Sequence, residues 1–384
     1  MLTRQERAAG KLAGAMARRR EAAARRMAKL AVAAPPESHH GLVLQSARQD
    51  AWATAAALLD LSREALPGDP PRAEALARLA VLAAGEMDAA GEPALAAELQ
   101  AEACCQVGEA CRLGGDLARA EEELGRAEAH LRRAFDAIGR AQFCGSLGRL
   151  RRDQRRMDEA LALFGRAAAL FEEHGNLADA AGALAEKGEI ELRSLEPVAA
   201  LETFDLAASL VPEGPTTLAL RAHRGLALAC ALDNRFAEAW QVLAAARRRF
   251  VPDPGSVEDF ELLLAGGELA EGEGDYRSAE QKLISAFHGL LGLKEWHLAA
   301  LAGLNLARIL LAQGSTTRLR QVVDEMAPFF AASGLHGNLL DALGRLRAAV
   351  LENRARVPLA SAVLDHLKIA RDNPSLPFDS TACR

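Results

Sequence analysis

Along most of the chain, apolar residues recur with the period of one helix face. In MDEALALFGRAAALF, starting at Met157, the residues Ala160, Phe164, Ala167 and Phe171 stand at offsets of 0, 4, 7 and 11, which puts them on one stripe of an α-helix. With Ala160 as anchor, equivalent residues occur at Ala120, Ala200, Ala239, Ala279 and Leu319, at successive spacings of 40, 40, 39, 40 and 40. Four residues after each anchor come Leu124, Phe164, Phe204, Leu243, Leu283 and Val323. Seven after come Ala127, Ala167, Ala207, Ala246, Ala286 and Met326, and eleven after come Leu131, Phe171, Val211, Phe250, Leu290 and Phe330.

Twelve residues before each anchor stand Gly108, Gly148, Gly188, Ala227, Gly267 and Ala307, all small. Glycine inside a helix costs about 1 kcal/mol relative to alanine, so its recurrence implies close approach of a second helix. Gly114, Gly115, Gly272, Gly274 and Gly314 break the chain before anchors, while Gly175, the run Pro212 to Pro215, the run Pro252 to Gly255 and Gly334 break it after others. The pattern predicts a unit of helix A, tight turn and helix B. Gly148 is expected at the crossing of its two helices, with Ala160 opposite.

This spacing resembles the tetratricopeptide repeat, most clearly through Leu147, Gly148, Ala160, Phe164 and Ala167, and through Gly188, Ala200, Phe204 and Ala207. The period is near 40 rather than the usual 34, as in the long-repeat arrays of bacterial regulators. The resemblance implies an all-α, right-handed α-solenoid of antiparallel helix pairs, a superhelix of the tetratricopeptide-repeat type. Residues 1–36 read as a basic arm, helical or disordered, and 37–91 as divergent N-terminal helices, Gln49 to Ala65 and Arg72 to Met87. Six repeats follow over 92–334, then a divergent C-terminal repeat and cap over 335–372, in which Ala348, Ala360, Leu364 and Leu367 restore the spacing, and a tail over 373–384.

Composition agrees with this architecture. Half of the 384 residues are hydrophobic but only 4% are aromatic, so alanine and leucine carry the apolar content, as in closely packed helices. A formal net charge of −6, with an ordinary 26% of charged residues, implies neither a strongly basic nucleic-acid binder nor an acidic disordered chain, and whole-chain charge decides little. Cys104, Cys105, Cys111, Cys144, Cys230 and Cys383 form no C-x-x-C pair, and five of them fall in predicted helices, where they read as small hydrophobes. No apolar run approaches the roughly 18 residues of a membrane span, and the N-terminal apolar stretch is too short for a signal-peptide core. A soluble, cytoplasmic protein is expected.

No catalytic, metal or cofactor constellation is read. The nine histidines scatter. The glycine-rich stretch Leu262 to Tyr276 lacks the Lys-Ser or Lys-Thr of a phosphate loop and any preceding strand, and Cys144 to Gly148 is mid-helix. The expectation is a non-enzymatic scaffold without a cofactor.

The family resemblance implies recognition on the helix A faces. It places Glu109, Arg149, Glu189, Leu228, Glu268 and Arg308 in one column, eleven residues before the anchors, beside Arg112, Arg152, Arg193, Arg221 and Arg224. Two outcomes stand open: these charges pair with each other between repeats, or the arginines receive carboxylates from a bound peptide. The functional reading is a protein- or peptide-binding scaffold, an adaptor or a regulatory and signalling module. The alternative is a nucleic-acid-associated regulator that uses the arm, where Arg4, Arg7, Lys11, Arg18, Arg19, Arg20, Arg25, Arg26 and Lys29 stand against Glu6 and Glu21, with the array as sensor. That arm has almost no aromatics to stack on bases.

Overall fold

Helix formers fill the segments between the breakers, and each segment becomes a helix. The computed structural model describes residues 39–134, 136–211, 217–332, 337–352 and 354–370, together with Met16, Arg18, Arg19, Ala22, Ala23 and Phe378. Among these there are sixteen α-helices and no strand. They follow as pairs: α1 (His39–Ala65) and α2 (Pro70–Ala89), α3 (Pro93–Leu113) and α4 (Leu117–Leu131), α5 (Ala137–Asp153) and α6 (Met157–Glu173), α7 (Leu177–Arg193) and α8 (Pro197–Leu210). Then come α9 (Thr217–Leu232) and α10 (Phe236–Phe250), α11 (Val257–Glu273) and α12 (Tyr276–Gly292), α13 (Trp296–Ala312) and α14 (Thr316–Ala332), α15 (Gly337–Leu351) and α16 (Val357–Ala370). The chain divides into two compact units, 1–170 and 171–384.

Most of the basic arm and most of the C-terminal tail, Cys383 included, lie outside the described residues. Arg19 is tied down: its guanidinium donates to both carboxylate oxygens of Asp50 at 2.6 and 2.8 Å and lies 5.9 Å from the centre of the Trp52 ring. Asp50 itself is extended and interrupts α1, and its Oδ1 accepts from the Ala53 amide at 3.1 Å, as at a helix start.

In unit 1, α3 packs on α4 within its pair and on α5 of the next. In unit 2, α7, α9 and α11 each pack on their own helix B and on the following helix A. The anchors Ala120, Ala160, Ala200, Ala239 and Ala279 are fully buried, as are the alanines seven residues later. The stripe read from the sequence is thus the inner face of helix B.

The turn between A and B is the same in all six repeats. Five residues before the anchors, Gly115, Arg155, Leu195, Asn234, Gly274 and Gly314 all have φ between +59° and +86°. The following amide in each case bonds back to the carbonyl five residues earlier, as Glu196 does to Glu191 at 3.0 Å and Asp275 to Ala270 at 2.9 Å. This is the left-handed helix stop that favours glycine. Leu195 occupies it with its side chain 70% exposed, so the site carries backbone strain and no packing gain. Leu195→Gly is expected to stabilise unit 2 by about 0.5–1 kcal/mol, the left-handed penalty less the extra freedom glycine has when unfolded. A chemical denaturation midpoint that falls or stays put in this variant would contradict the assignment.

The small column sits at the A–B crossings, but what fills the space differs from the sequence expectation. A Cβ on Gly148 would stand 3.1 Å from the Phe164 ring, so the fully buried Phe164, four residues past the anchor, takes the place expected for Ala160. The same holds for Gly188 against Phe204 at 2.7 Å and Gly267 against Leu283 at 2.6 Å. At Gly108 both Leu124 and the Ala120 carbonyl are near, at 3.1 and 3.4 Å.

The last pair departs from the repeat. Here α16 packs on α13, and α15 packs on α14. The reason is apolar surface: Ala360, Val363, Leu364 and Leu367 of α16 are all buried, so this helix takes the place beside α13 that a following helix A holds elsewhere.

Candidate functional site

The helix A column can be followed within each unit. In unit 1, Glu109 on α3 accepts from Arg112 one turn along at 2.8 Å and from Arg149 on α5 at 3.1 Å. Arg112 also donates to Asp153 at the end of α5, and Arg152 lies 3.3 Å from the same carboxylate. Arg112, Arg152 and Asp153 are buried, and only Arg149 keeps substantial exposure. Burial by itself would raise the Glu109 pKa, but the guanidiniums of Arg112 and Arg149 outweigh it and hold the carboxyl down at about 2. Burial opposes the charge on Arg112 as well, yet Glu109 and Asp153 more than compensate and raise its pKa. Arg112 and Arg152 therefore belong to an interior ion cluster and do not form the wall of a groove.

In unit 2 the column is half-buried and paired from helix A to helix A. Arg221 on α9 reaches Glu189 and Glu186 on α7 at 2.6 and 3.1 Å. The Glu189 pKa is lowered, because the charge and hydrogen bond of Arg221 overcome the cost of burial. Arg308 on α13 reaches Glu271 on α11 at 2.6 Å. The fully buried Asn305 gives its amide to Glu268 at 3.1 Å and accepts from Arg308 at 3.3 Å, and Lys368 of α16 approaches Glu268 at 3.9 Å. Leu228 interrupts the column on α9, where it is half-buried, Arg193 is exposed at the end of α7, and Arg224 is half-buried.

Of the two outcomes left open by the sequence, the structure brings Glu109 together with Arg149 and Glu189 with Arg221. Asn305 was not singled out in the sequence, yet it sits at the centre of the polar chain across α11 and α13. Its signal was an asparagine inside an otherwise apolar helix.

The remaining chemistry is quiet. Cys104, Cys105, Cys111, Cys144 and Cys230 are free and buried. Burial pushes the Cys104 and Cys111 thiols up to about 11, so at neutral pH they are protonated and poor nucleophiles. Among the described residues no cluster of histidine, cysteine and carboxylate side chains is arranged to hold a metal ion, and no helix is long and apolar enough to cross a membrane.

Solved structures share this architecture. The aspartyl phosphate phosphatase F of Bacillus subtilis aligns over 94% of this chain and 96% of its own at 12% identity, with a TM-score of 0.56. A Rap protein crystallised with Competence and Sporulation Factor aligns over 84% of this chain and 89% of its own at 13% identity, with a TM-score of 0.54. The apo form of RapI aligns over 93% of this chain and 97% of its own at 14% identity, with a TM-score of 0.53. The fold is of the tetratricopeptide-repeat type. No family model and no curated protein matches the sequence. At these identities the likeness belongs to the tetratricopeptide-repeat fold, and the phosphatase activity in one neighbour's name stays with that neighbour.

Proposed function

We propose that this tetratricopeptide-repeat chain is a non-enzymatic scaffold that binds a protein or peptide segment along its helix A faces, as an adaptor or regulatory module in the cytoplasm. The observation that carries the reading is the ladder of partly exposed charges joining successive helices A, as in Glu189 with Arg221 and Glu271 with Arg308. These side chains keep part of their surface in solvent, so a ligand carboxylate or guanidinium can reach them. The tetratricopeptide-repeat likeness to a Rap protein that holds a bound factor supports the same reading. Buried free thiols suit a reducing compartment.

Site-specific photocrosslinking in the source cell tests it. A photoreactive residue at Arg193 or Leu228, on helices A, is expected to yield a discrete protein adduct, while one at Arg166 or Glu202, exposed on helices B, yields none. Equal adducts from both sets, or none from the helix A set, would remove the assignment.

A further inference from the structure

The hairpin of α9 and α10 has an uneven charge distribution. It carries Arg221, Arg224, Arg235, Arg247, Arg248 and Arg249 against only Asp233 and Glu238. Both acids lie at the turn between the helices, where Arg235 takes them, Glu238 through hydrogen bonds from the guanidinium and Asp233 at 3.9 Å. The other five arginines sit at the opposite end, since His223 of α9 meets Phe250 of α10 edge-on with ring centres 5.2 Å apart.

Neighbouring helices neutralise two of these five. Arg221 is held by Glu186 and Glu189, and Arg247 by Asp259 at 2.6 Å. Arg248 and Arg249 are exposed and, like the half-buried Arg224, make no ion pair within 4 Å among the described residues; the charge of Arg224 is felt by Glu189, and Arg249 lies 5.6 Å from the Phe250 ring centre. Asp253 and Glu258 are exposed in the next loop and the first turn of α11, and neither forms an ion pair with these arginines. His223 registers the local field: burial first, and Arg249 after it, lower its pKa, against a hydrogen bond to the Ala219 carbonyl.

An apolar contact stands beside the charge. Val251 follows Arg249 and Phe250, has φ of +38°, and is 74% exposed. A β-branched residue in that conformation is a strained position, and here the strain holds an aliphatic side chain out in solvent next to free guanidiniums.

We propose that the end of the α9–α10 hairpin formed by Arg224, Arg248, Arg249 and Val251 docks an acidic protein segment that carries an aliphatic residue beside its carboxylates. Three unpaired arginines on a chain of net charge −6 give local complementarity to carboxylates, and Val251 supplies a contact that a phosphate backbone would not use. The inference rests on the protein-binding reading above but not on the helix A ladder.

The test uses the full chain and a fluorescein-labelled decapeptide with one leucine flanked by glutamates. Controls are the same peptide with glutamines, the same peptide with glycine for leucine, and a twenty-nucleotide single-stranded DNA. Fluorescence anisotropy is expected to show salt-dependent binding of the acidic leucine peptide, weakened at least ten-fold by Arg248→Glu with Arg249→Glu and several-fold by Val251→Asp. Arg166→Glu, exposed in unit 1, is expected to leave it unchanged, with helix content checked by circular dichroism. Binding that ignores the Arg248 and Arg249 changes overturns the proposal, as does DNA binding that those changes abolish while the peptide does not bind. If the helix A crosslinks form but the peptide fails, only this surface falls; if both fail, the scaffold reading falls with it.

Discussion

Truncating Phe204 to alanine is expected to cost unit 2 about 3–5 kcal/mol, the range for a fully buried aromatic that leaves a cavity. The ring has no exposed surface. It projects from α8 into a slot between two glycines, where a Cβ on Gly188 of α7 would come within 2.7 Å of it and a Cβ on Gly225 of α9 within 2.2 Å. One side chain therefore joins its own repeat to the next. Chemical denaturation followed by the fluorescence of Trp240 and Trp296, both in unit 2, reads the loss, with Trp52 of unit 1 as the reference. Gly225→Ala gives the complementary result. Alanine gains about 1 kcal/mol of helix propensity, but three ring atoms stand within 2.5 Å of the new methyl and the ring is flanked on its other side by Gly188, so a net loss of about 1–3 kcal/mol is expected. In the Phe204→Ala background the same substitution should turn neutral or stabilising. Additive effects of the two changes would show that the ring does not fill the slot as described.

Gly225 also shows where the sequence stops being informative. The column containing Gly188 is periodic because every repeat must close its own hairpin, and periodicity made it visible. Gly225 stands two residues before Ala227, off the column, where a Cβ would meet the Phe204 ring at 2.2 Å. A contact that depends on one large residue in one repeat has no period. The turns follow the same logic. Glycine at Gly115, Gly274 and Gly314 marked a chain break in the sequence, but Arg155 and Leu195 hold the same left-handed conformation without marking it, because the hydrogen bonds closing the turn come from the backbone.

The charged column was legible in position and not in exposure. An arginine eight residues before an anchor reads as a groove residue, yet Arg112 and Arg152 fold inward because Asp153 and Glu109 stand at matching depth on α5 and α3. The pairing is set by side-chain reach between neighbouring repeats, which a linear spacing does not encode. The cap follows a related rule: α16 keeps the repeat spacing but lies against α13, since burial of its apolar stripe decides the partner.

Asp153→Ala, which removes no surface a ligand could touch, is expected to cost unit 1 about 3–5 kcal/mol. The carboxylate is buried and accepts from Arg112 while facing Arg152, so its loss leaves two buried guanidiniums short of countercharge. Arg149→Ala, at the exposed edge of the same cluster, is expected to cost about 1 kcal/mol or less, because Glu109 keeps Arg112. The pH dependence checks the cluster from the other side. The Glu109 pKa is depressed in the folded chain to about 2, against about 4.3 for a free glutamate, so its contribution is fully present above the unfolded value and disappears as pH falls toward 2. That difference corresponds to about 3 kcal/mol. Acid titration of Trp52 fluorescence should show the loss, and Glu109→Gln should flatten the profile between pH 4 and 2 while lowering stability at neutral pH. A variant with the parent's acid profile would mean that Glu109 is solvated and the cluster open. If the cluster is closed, its charges set the alignment of α3 with α5, and Arg112 and Arg152 serve packing between these helices.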